Sequence, residues 1–204
     1  MEVKERILET ALKMFRIYGV KGVTMFDIAR DCGISKKTVY EHFTDKQALI
    51  SEGMQQLLNN HLNYFRECLL TTANAIEELV RNMKYVTNLA KTLNPVMLHE
   101  IEKYHTDTWK SIENFKAARM LCPIKVNLKR GMTEGLYRQN LQIDIVARMR
   151  QLQLEAAFDP VQYPADRFEM HVVMEQVTAH FILGIATIKG HKLVNQYLQI
   201  KEEE

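Results

Sequence analysis

Glycine and proline are scarce in this chain, at eight and four among 204 residues. That is too few for a collagen, a low-complexity tail or a turn-rich β-sandwich. Cysteine is scarcer still. The three cysteines, at 32, 68 and 122, stand far apart with no Cys-x-x-Cys pair. Such a count and spacing argue against a disulfide framework and a zinc knuckle, and fit a reducing interior. No uninterrupted apolar run is long enough to cross a bilayer, so no transmembrane helix is expected. The opening Met-Glu-Val-Lys-Glu-Arg is charged and lacks the apolar stretch of a signal peptide. A cytoplasmic location with no membrane contact is therefore expected. Charge of one sign is also missing: 27 basic against 25 acidic residues leave a formal +2. All of that excess falls within residues 1–50, a weak sign of a polyanion contact there.

What is present is helical periodicity. Apolar residues make up 47% and charged residues 25%, ordinary for a globular chain long enough to bury a core without metal or disulfides. Ile7, Leu8, Ala11, Leu12, Met14 and Phe15 follow three/four spacing, and Gly19 stops that helix. Thr24 with Asp27 three residues on reads as a capping box. A short helix then breaks at Cys32-Gly33, and Ser35 caps a third over Lys36–His42. Asp45 lies where a fourth begins. Longer helices follow, with faces at Met54–Leu69 and Ile76–Leu93. Asn94-Pro95 starts another, and one around Trp109 and Phe115 breaks at Cys122-Pro123. Ile124–Tyr137 reads as helical, as do 142–158, 166–188 and a last stretch near 191–201, with Glu202–Glu204 fraying. Nothing alternates with period two, so the fold class expected is all-α.

The informative stretch runs from Thr24 to Lys46. Two short helices meet through Cys32-Gly33-Ile34-Ser35. Ala29 is small where the helices must cross, and Gly33 can take the left-handed conformation of a sharp turn. Ile28, Ile34 and Val39 point inward. This is the layout of a helix-turn-helix, whose second helix enters the DNA major groove. Lys36, Lys37, Thr38, Glu41 and His42 would face outward. The lysines attract phosphates or donate to guanine edges, and Thr38 suits a phosphate or a thymine methyl. The Tyr40 hydroxyl can meet a phosphate while its ring packs. Lys46 offers charge at a helix start, and Thr24 could act likewise from the preceding helix. The expected DNA-contacting set is Thr24, Ser35, Lys36, Lys37, Thr38, Tyr40, His42 and Lys46. The bland alternative is three packed helices with a solvated basic face.

The whole string decides between them. Ile-Ala-(x)2-Cys-Gly-Ile-Ser-Lys-Lys-Thr-Val-Tyr-Glu-His-Phe-(x)2-Lys-(x)2-Leu resembles the pattern of the TetR/AcrR family of bacterial regulators. Ile7, Ala11, Phe15, Gly19 and Thr24 match its first helix and capping threonine. Gly131-x-x-x-Gly135-Leu-Tyr-Arg is similar to the helix before its dimerisation pair. Glu41 departs from a basic or neutral expectation, which bears on individual base contacts. The resemblance implies a helix-turn-helix domain over 1–46 and a helical effector-binding and dimerisation domain over 47–204.

It also implies a homodimer built from the last two long helices. One stripe holds Phe168, Val172, Val177, Phe181, Ile185 and Ile188, and a second holds Met174, Thr178, Ile182 and Ala186. The helix at 142–158 carries Ile145, Val146, Met149 and Leu152 on one side and Ile143, Ala147, Leu154 and Phe158 on another. Ala147, Leu154, Met174, Thr178, Phe181, Ile182 and Ile185 are the expected dimer residues. For an effector pocket the candidates are Phe65, Tyr85, Met97, Tyr104, His105, Trp109, Phe115, Met120 and Met132, an apolar set suited to an organic ligand. Stripes of that kind are also what an ordinary core looks like.

Enzyme and metal readings find little. There is no Gly-rich phosphate loop, Gly-x-Ser-x-Gly or His-Glu-x-x-His. His99, Glu100 and His105 do not share a helical face. His171 and Glu175 do, but read as a solvated pair. His61, His180 and His191 stand alone. No catalytic residue, metal or cofactor is expected. The expectation is a sequence-specific regulator, a homodimeric repressor released from a palindromic operator by a small organic effector. The competing reading is a small-molecule-binding or enzymatic helical module with a vestigial DNA-binding arm.

Overall fold

The computed structural model describes residues 2–92, 94–159 and 161–199. Eleven helices occupy those residues, with no strand longer than one isolated bridge, Tyr137 with Ala186. They are α1 (Val3–Tyr18), α2 (Met25–Asp31), α3 (Lys36–His42), α4 (Lys46–Thr71), α5 (Ala75–Thr92), α6 (Pro95–Tyr104), α7 (Thr106–Arg119), α8 (Leu121–Thr133), α9 (Ile143–Ala157), α10 (Met170–Ile185) and α11 (Ile188–Leu198). Among the described residues no helix is long and apolar enough to cross a membrane.

The chain forms two compact units. The first comprises Met1–His61 and Thr92–Phe115. Its core gathers Ile7, Leu8, Ala11 and Phe15 of α1, Ile28 and Ala29 of α2, Val39 of α3, Leu49 and Ile50 of α4, and Met97 and Ile101 of α6. Removing several large side chains like these from water, at about 1.5–3 kcal/mol each, offsets the cost of ordering short helices that would not persist alone.

The second unit comprises Leu62–Lys91 and Lys116–Glu204. Its main core holds Ile76 and Val80 of α5, Leu128 of α8, Tyr137, Ala147 of α9, and Phe181, Ile182 and Ile185 of α10. A buried polar network ties α5 to α8. Arg130 bonds Glu78 and Glu134, each at 2.8 Å. Glu134 also accepts the Ala75 backbone N–H at 2.8 Å, capping α5. Asn127 donates to the Ala75 carbonyl at 2.9 Å, and the fully buried Tyr137 hydroxyl donates towards Asn127 and the same carbonyl. Burial raises the Glu78 pKa above the usual carboxylate range, and the Arg130 contact opposes only part of that rise.

Several boundaries differ from the expectation. Cys122-Pro123 is no break: both sit in the first turn of α8, where backbone N–H groups have no intrahelical partner and proline costs no bond. That helix ends at Thr133 rather than Tyr137 because Gly135 turns left-handed at φ 69°. Residues 136–138 then pair with 185–187 through Arg138 N–H to Ile185 and Thr187 N–H to Leu136. This extended pairing ends α10 at Ile185. Thr187, freed from the helix, accepts from Gly190 N–H at 3.2 Å and starts α11 earlier than expected. Leu93 and Glu202–Glu204 lie outside the described residues, as does Pro160.

Candidate nucleic-acid interface and ligand cavity

In the first unit α2 packs on α1, and α3 on α2. The turn between α2 and α3 closes as a helix C-terminal motif. Ile34 N–H reaches back to the Ala29 carbonyl at 3.0 Å, and Gly33 sits at φ 65°. Only glycine takes that conformation without strain. Ser35 accepts from Thr38 N–H at 3.0 Å and caps α3. Val39 and Phe43 anchor α3 to the core. That leaves Lys36, Lys37, Tyr40, Glu41 and His42 exposed on its outer side, with Thr38 half-buried. The Lys36 ammonium lies 5.7 Å from the Tyr40 ring centre, and Lys37 lies 4.0 Å from Glu41. Exposed contacts of this kind are weak, so both lysines remain available to a polyanion.

Two members of the expected contact set are already engaged. The Thr24 hydroxyl donates to Asp27 at 2.6 Å and its backbone N–H donates to the same carboxylate at 3.0 Å. Both Thr24 donors therefore serve the α2 cap rather than a phosphate. Ser35 is likewise a cap. Lys46 is half-buried, and burial lowers its pKa against the opposing charge of Glu100. Asp45 accepts Ala48 N–H at 2.7 Å, so one donor at the start of α4 is also taken.

The second unit encloses a cavity of about 580 Å³, within the ordinary range for small-molecule sites. Leu79, Met83, Val86, Leu154, Met174 and Phe181 supply apolar wall, while Asn82 and Arg150 supply polar groups. Arg150 is buried, donates to Thr178 Oγ1 at 2.6 Å, and lies 4.9 Å from the Phe181 ring centre.

The sequence model for bacterial regulatory proteins of the tetR family matches residues 7–52, which span α1 to the start of α4. Residues 7–52 carry the DNA-binding segment of that family. The chain's likeness to relatives extends past that segment. The transcriptional repressor KstR2 of Mycolicibacterium smegmatis is 24% identical over 197 residues, covering 93% of each chain. A crystal structure of a transcriptional regulator from Cytophaga hutchinsonii gives a TM-score of 0.70 at 21% identity, covering 90% of this chain and 98% of that one. The Bacillus subtilis regulator FadR, crystallised with stearoyl-CoA, gives 0.62 at 16% identity, covering 89% and 98%. At these identities the solved structures show a shared fold. The chain is a TetR-type DNA-binding transcriptional regulator.

The expected effector residues scatter. Phe65 and Met120 line the cavity. Tyr85 stacks on Tyr64 with ring centres 4.1 Å apart, and Met132 packs on the second core. The other five lie in the first unit. Met97 is fully buried in its core, and Trp109 packs against that core. Tyr104 is half-exposed beneath the Lys21 ammonium, 3.6 Å from its ring centre. His105 hydrogen-bonds Gln47, and Phe115 is half-buried at the end of the unit. Apolar periodicity marks core and cavity alike, which is why it did not separate them.

The expected dimer residues are a correction of the same kind. Ala147, Met174, Thr178, Phe181, Ile182 and Ile185 are all buried in the chain's own interior, and Leu154 lines the cavity. The exposed apolar stripe is the other one: Ile145, Met149 and Leu152 on α9, at i, i+4 and i+7, with Phe168 just before α10 and Val172 in its first turn. The cavity's Arg150 was missed too. It shares a helical face with Ala147, Gln151 and Leu154, and a charge on a buried face was the available signal. Lastly, His171 pairs with Glu169 at 3.4 Å rather than with Glu175.

Proposed function

We propose that this regulator is a homodimeric repressor, released from a palindromic operator in the cytoplasm by a small organic effector. The observation that carries the reading is the doubly capped α2–α3 pair presenting Lys36, Lys37, Tyr40 and His42 on one exposed surface. α3 is only seven residues long, so one copy reads few bases. A two-fold dimer doubles the contact and places recognition helices in successive major grooves, about 34–36 Å apart. Lys36, Lys37, Tyr40 and Lys46 act on phosphates, Thr38 and His42 on base edges, and Thr24 and Ser35 hold their helices in place. Ile145, Met149, Leu152 and Val172 form the dimer face. An unpartnered apolar stripe on adjacent helices supports that assignment.

The cavity of the second unit is the effector site. Its size and apolar wall support this, as does the name of KstR2 as a repressor and the stearoyl-CoA held by FadR. Effector binds two dimer states unequally and favours the one whose recognition helices no longer match the groove spacing. The test is a titration of purified protein against DNA from upstream of its own reading frame. Two salt concentrations are used, with Lys37→Ala/Tyr40→Ala as control. Phosphate-driven binding must weaken steeply with salt and fall in the double variant. Binding that ignores both salt and the substitutions would contradict the reading.

A further inference from the structure

We propose that the cavity of the second unit takes an amphiphilic carboxylate, with the anion seated on Arg150 and the apolar body along Leu79, Met83, Val86 and Leu154. The proposal rests on the effector-site reading above and adds the chemical class of the effector.

The case begins with two arginines in the same unit. Arg130 is partly buried, and two carboxylates neutralise it, Glu78 and Glu134 at 2.8 Å each. Arg150 is more deeply buried, at 6% exposure, yet among the described residues its partners are all neutral. They are the Thr178 hydroxyl at 2.6 Å, the Val177 carbonyl at 3.4 Å and the face of the Phe181 ring. Burial pulls its pKa down to about 10. It therefore remains a cation at neutral pH, held out of water with no counter-ion among the described residues, which is a costly arrangement. A guanidinium also has five N–H donors, more than these contacts use.

The surroundings say what would satisfy it. Four charged side chains line the cavity: Arg66, Arg119, Arg150 and Glu78. Glu78 is taken by Arg130, so the wall is left with uncompensated positive charge. Arg66 and Arg119 are exposed and would draw an anion inward, whereas Arg150 is the buried one. Of the three arginines lining the cavity, the buried one presents a fork that matches one planar monoanion. Asn82 adds one polar feature: its Oδ1 is buried on the same wall with no hydrogen-bond partner among the described residues. It would accept from a hydroxyl on the ligand body.

The experiment is calorimetric binding to the full-length protein without DNA. The probes are hexanoate, decanoate, tetradecanoate, decanol, decylamine and decanoyl-CoA. Decanoate should bind at least about tenfold more tightly than decanol, the worth of a charge-assisted hydrogen bond, and decylamine should not bind. Arg150→Met should bring decanoate down to the level of decanol. Its melting temperature should stay the same or rise, because an unpaired buried charge is replaced by apolar volume. A merely structural arginine would instead lower the melting temperature and leave the preference for acid over alcohol. Should Arg150→Met fail to fold, the comparison of acid, alcohol and amine on the unaltered protein still decides. The proposal is overturned if decanol matches decanoate, if the preference survives in a folded Arg150→Met, if no acid of the series binds, or if only decanoyl-CoA binds. Acid binding that leaves DNA affinity unchanged would keep the Arg150 site and remove the ligand-release reading, so the two failures are distinguishable.

Discussion

Gly131 of α8 is the position where one added methyl group should do most damage. An ideal Cβ there would lie 2.1 Å from Cδ2 and 2.2 Å from Cε2 of Tyr137. Ordinary carbon contacts are about 3.5–4.0 Å, so the ring must retreat by roughly 1.5 Å. It has nowhere to go, being fully buried with its hydroxyl held 3.0 Å from Asn127 and 3.1 Å from the Ala75 carbonyl. Three terms set the size of the effect. Alanine favours the helix by about 1 kcal/mol. Overpacking costs about 1–3 kcal/mol, and stranding the hydroxyl or its acceptors costs about 1–3 kcal/mol more. The balance is a loss of about 2–3 kcal/mol, or about 5–10 °C in Tm for a chain of this length. Thermal unfolding followed by far-UV circular dichroism at one fixed protein concentration would measure it, because a dimer's Tm depends on concentration. An unchanged or raised Tm for Gly131→Ala would refute the packing argument and with it the claim that this network holds α5 against α8.

Other predictions are simpler. Ser35→Ala removes the α3 cap and should cost about 1 kcal/mol, with a larger loss in DNA affinity than in Tm; equal DNA affinity would show that α3 needs no cap. Met149→Glu and Leu152→Glu lie on exposed positions, so each should leave the helical content intact while sedimentation shows monomer; a normal dimer would move the interface elsewhere. Burial lowers the His61 pKa to about 4, below its ordinary value of about 6.5. The unfolded chain therefore takes up that proton first, so the stability term is full above about pH 6.5 and lost as pH falls towards about 4. His61→Gln should flatten urea stability between neutral pH and about pH 5, and an unchanged slope would assign the pH dependence to other groups.

How far the sequence speaks depends on whether local chemistry or distant packing decides a feature. The α2–α3 pair was legible because each part has its own residue: Thr24 and Ser35 as caps, Gly33 at the left-handed turn, Ala29 at the crossing, Val39 as anchor. The end of α8 was not, because it turns on Gly135 and on pairing with residues 185–187, some fifty positions away. The faces of α9 were exchanged for a similar reason. Both sides are apolar, and only burial separates the inward Ala147 and Leu154 from the outward Ile145 and Met149. Thr24 shows the converse limit. Its place in the family pattern suggested a phosphate contact, but the geometry gives both of its donors to Asp27.

The most direct test of the central claim is a selection of random double-stranded DNA on the purified protein, followed by sequencing. The account predicts enrichment of an inverted repeat whose half-sites lie about one helical turn apart. Affinity for that repeat should fall steeply with salt and collapse in Lys37→Ala/Tyr40→Ala. No enriched sequence, or a single half-site bound equally well by the double variant, would contradict a dimer that reads DNA through α3.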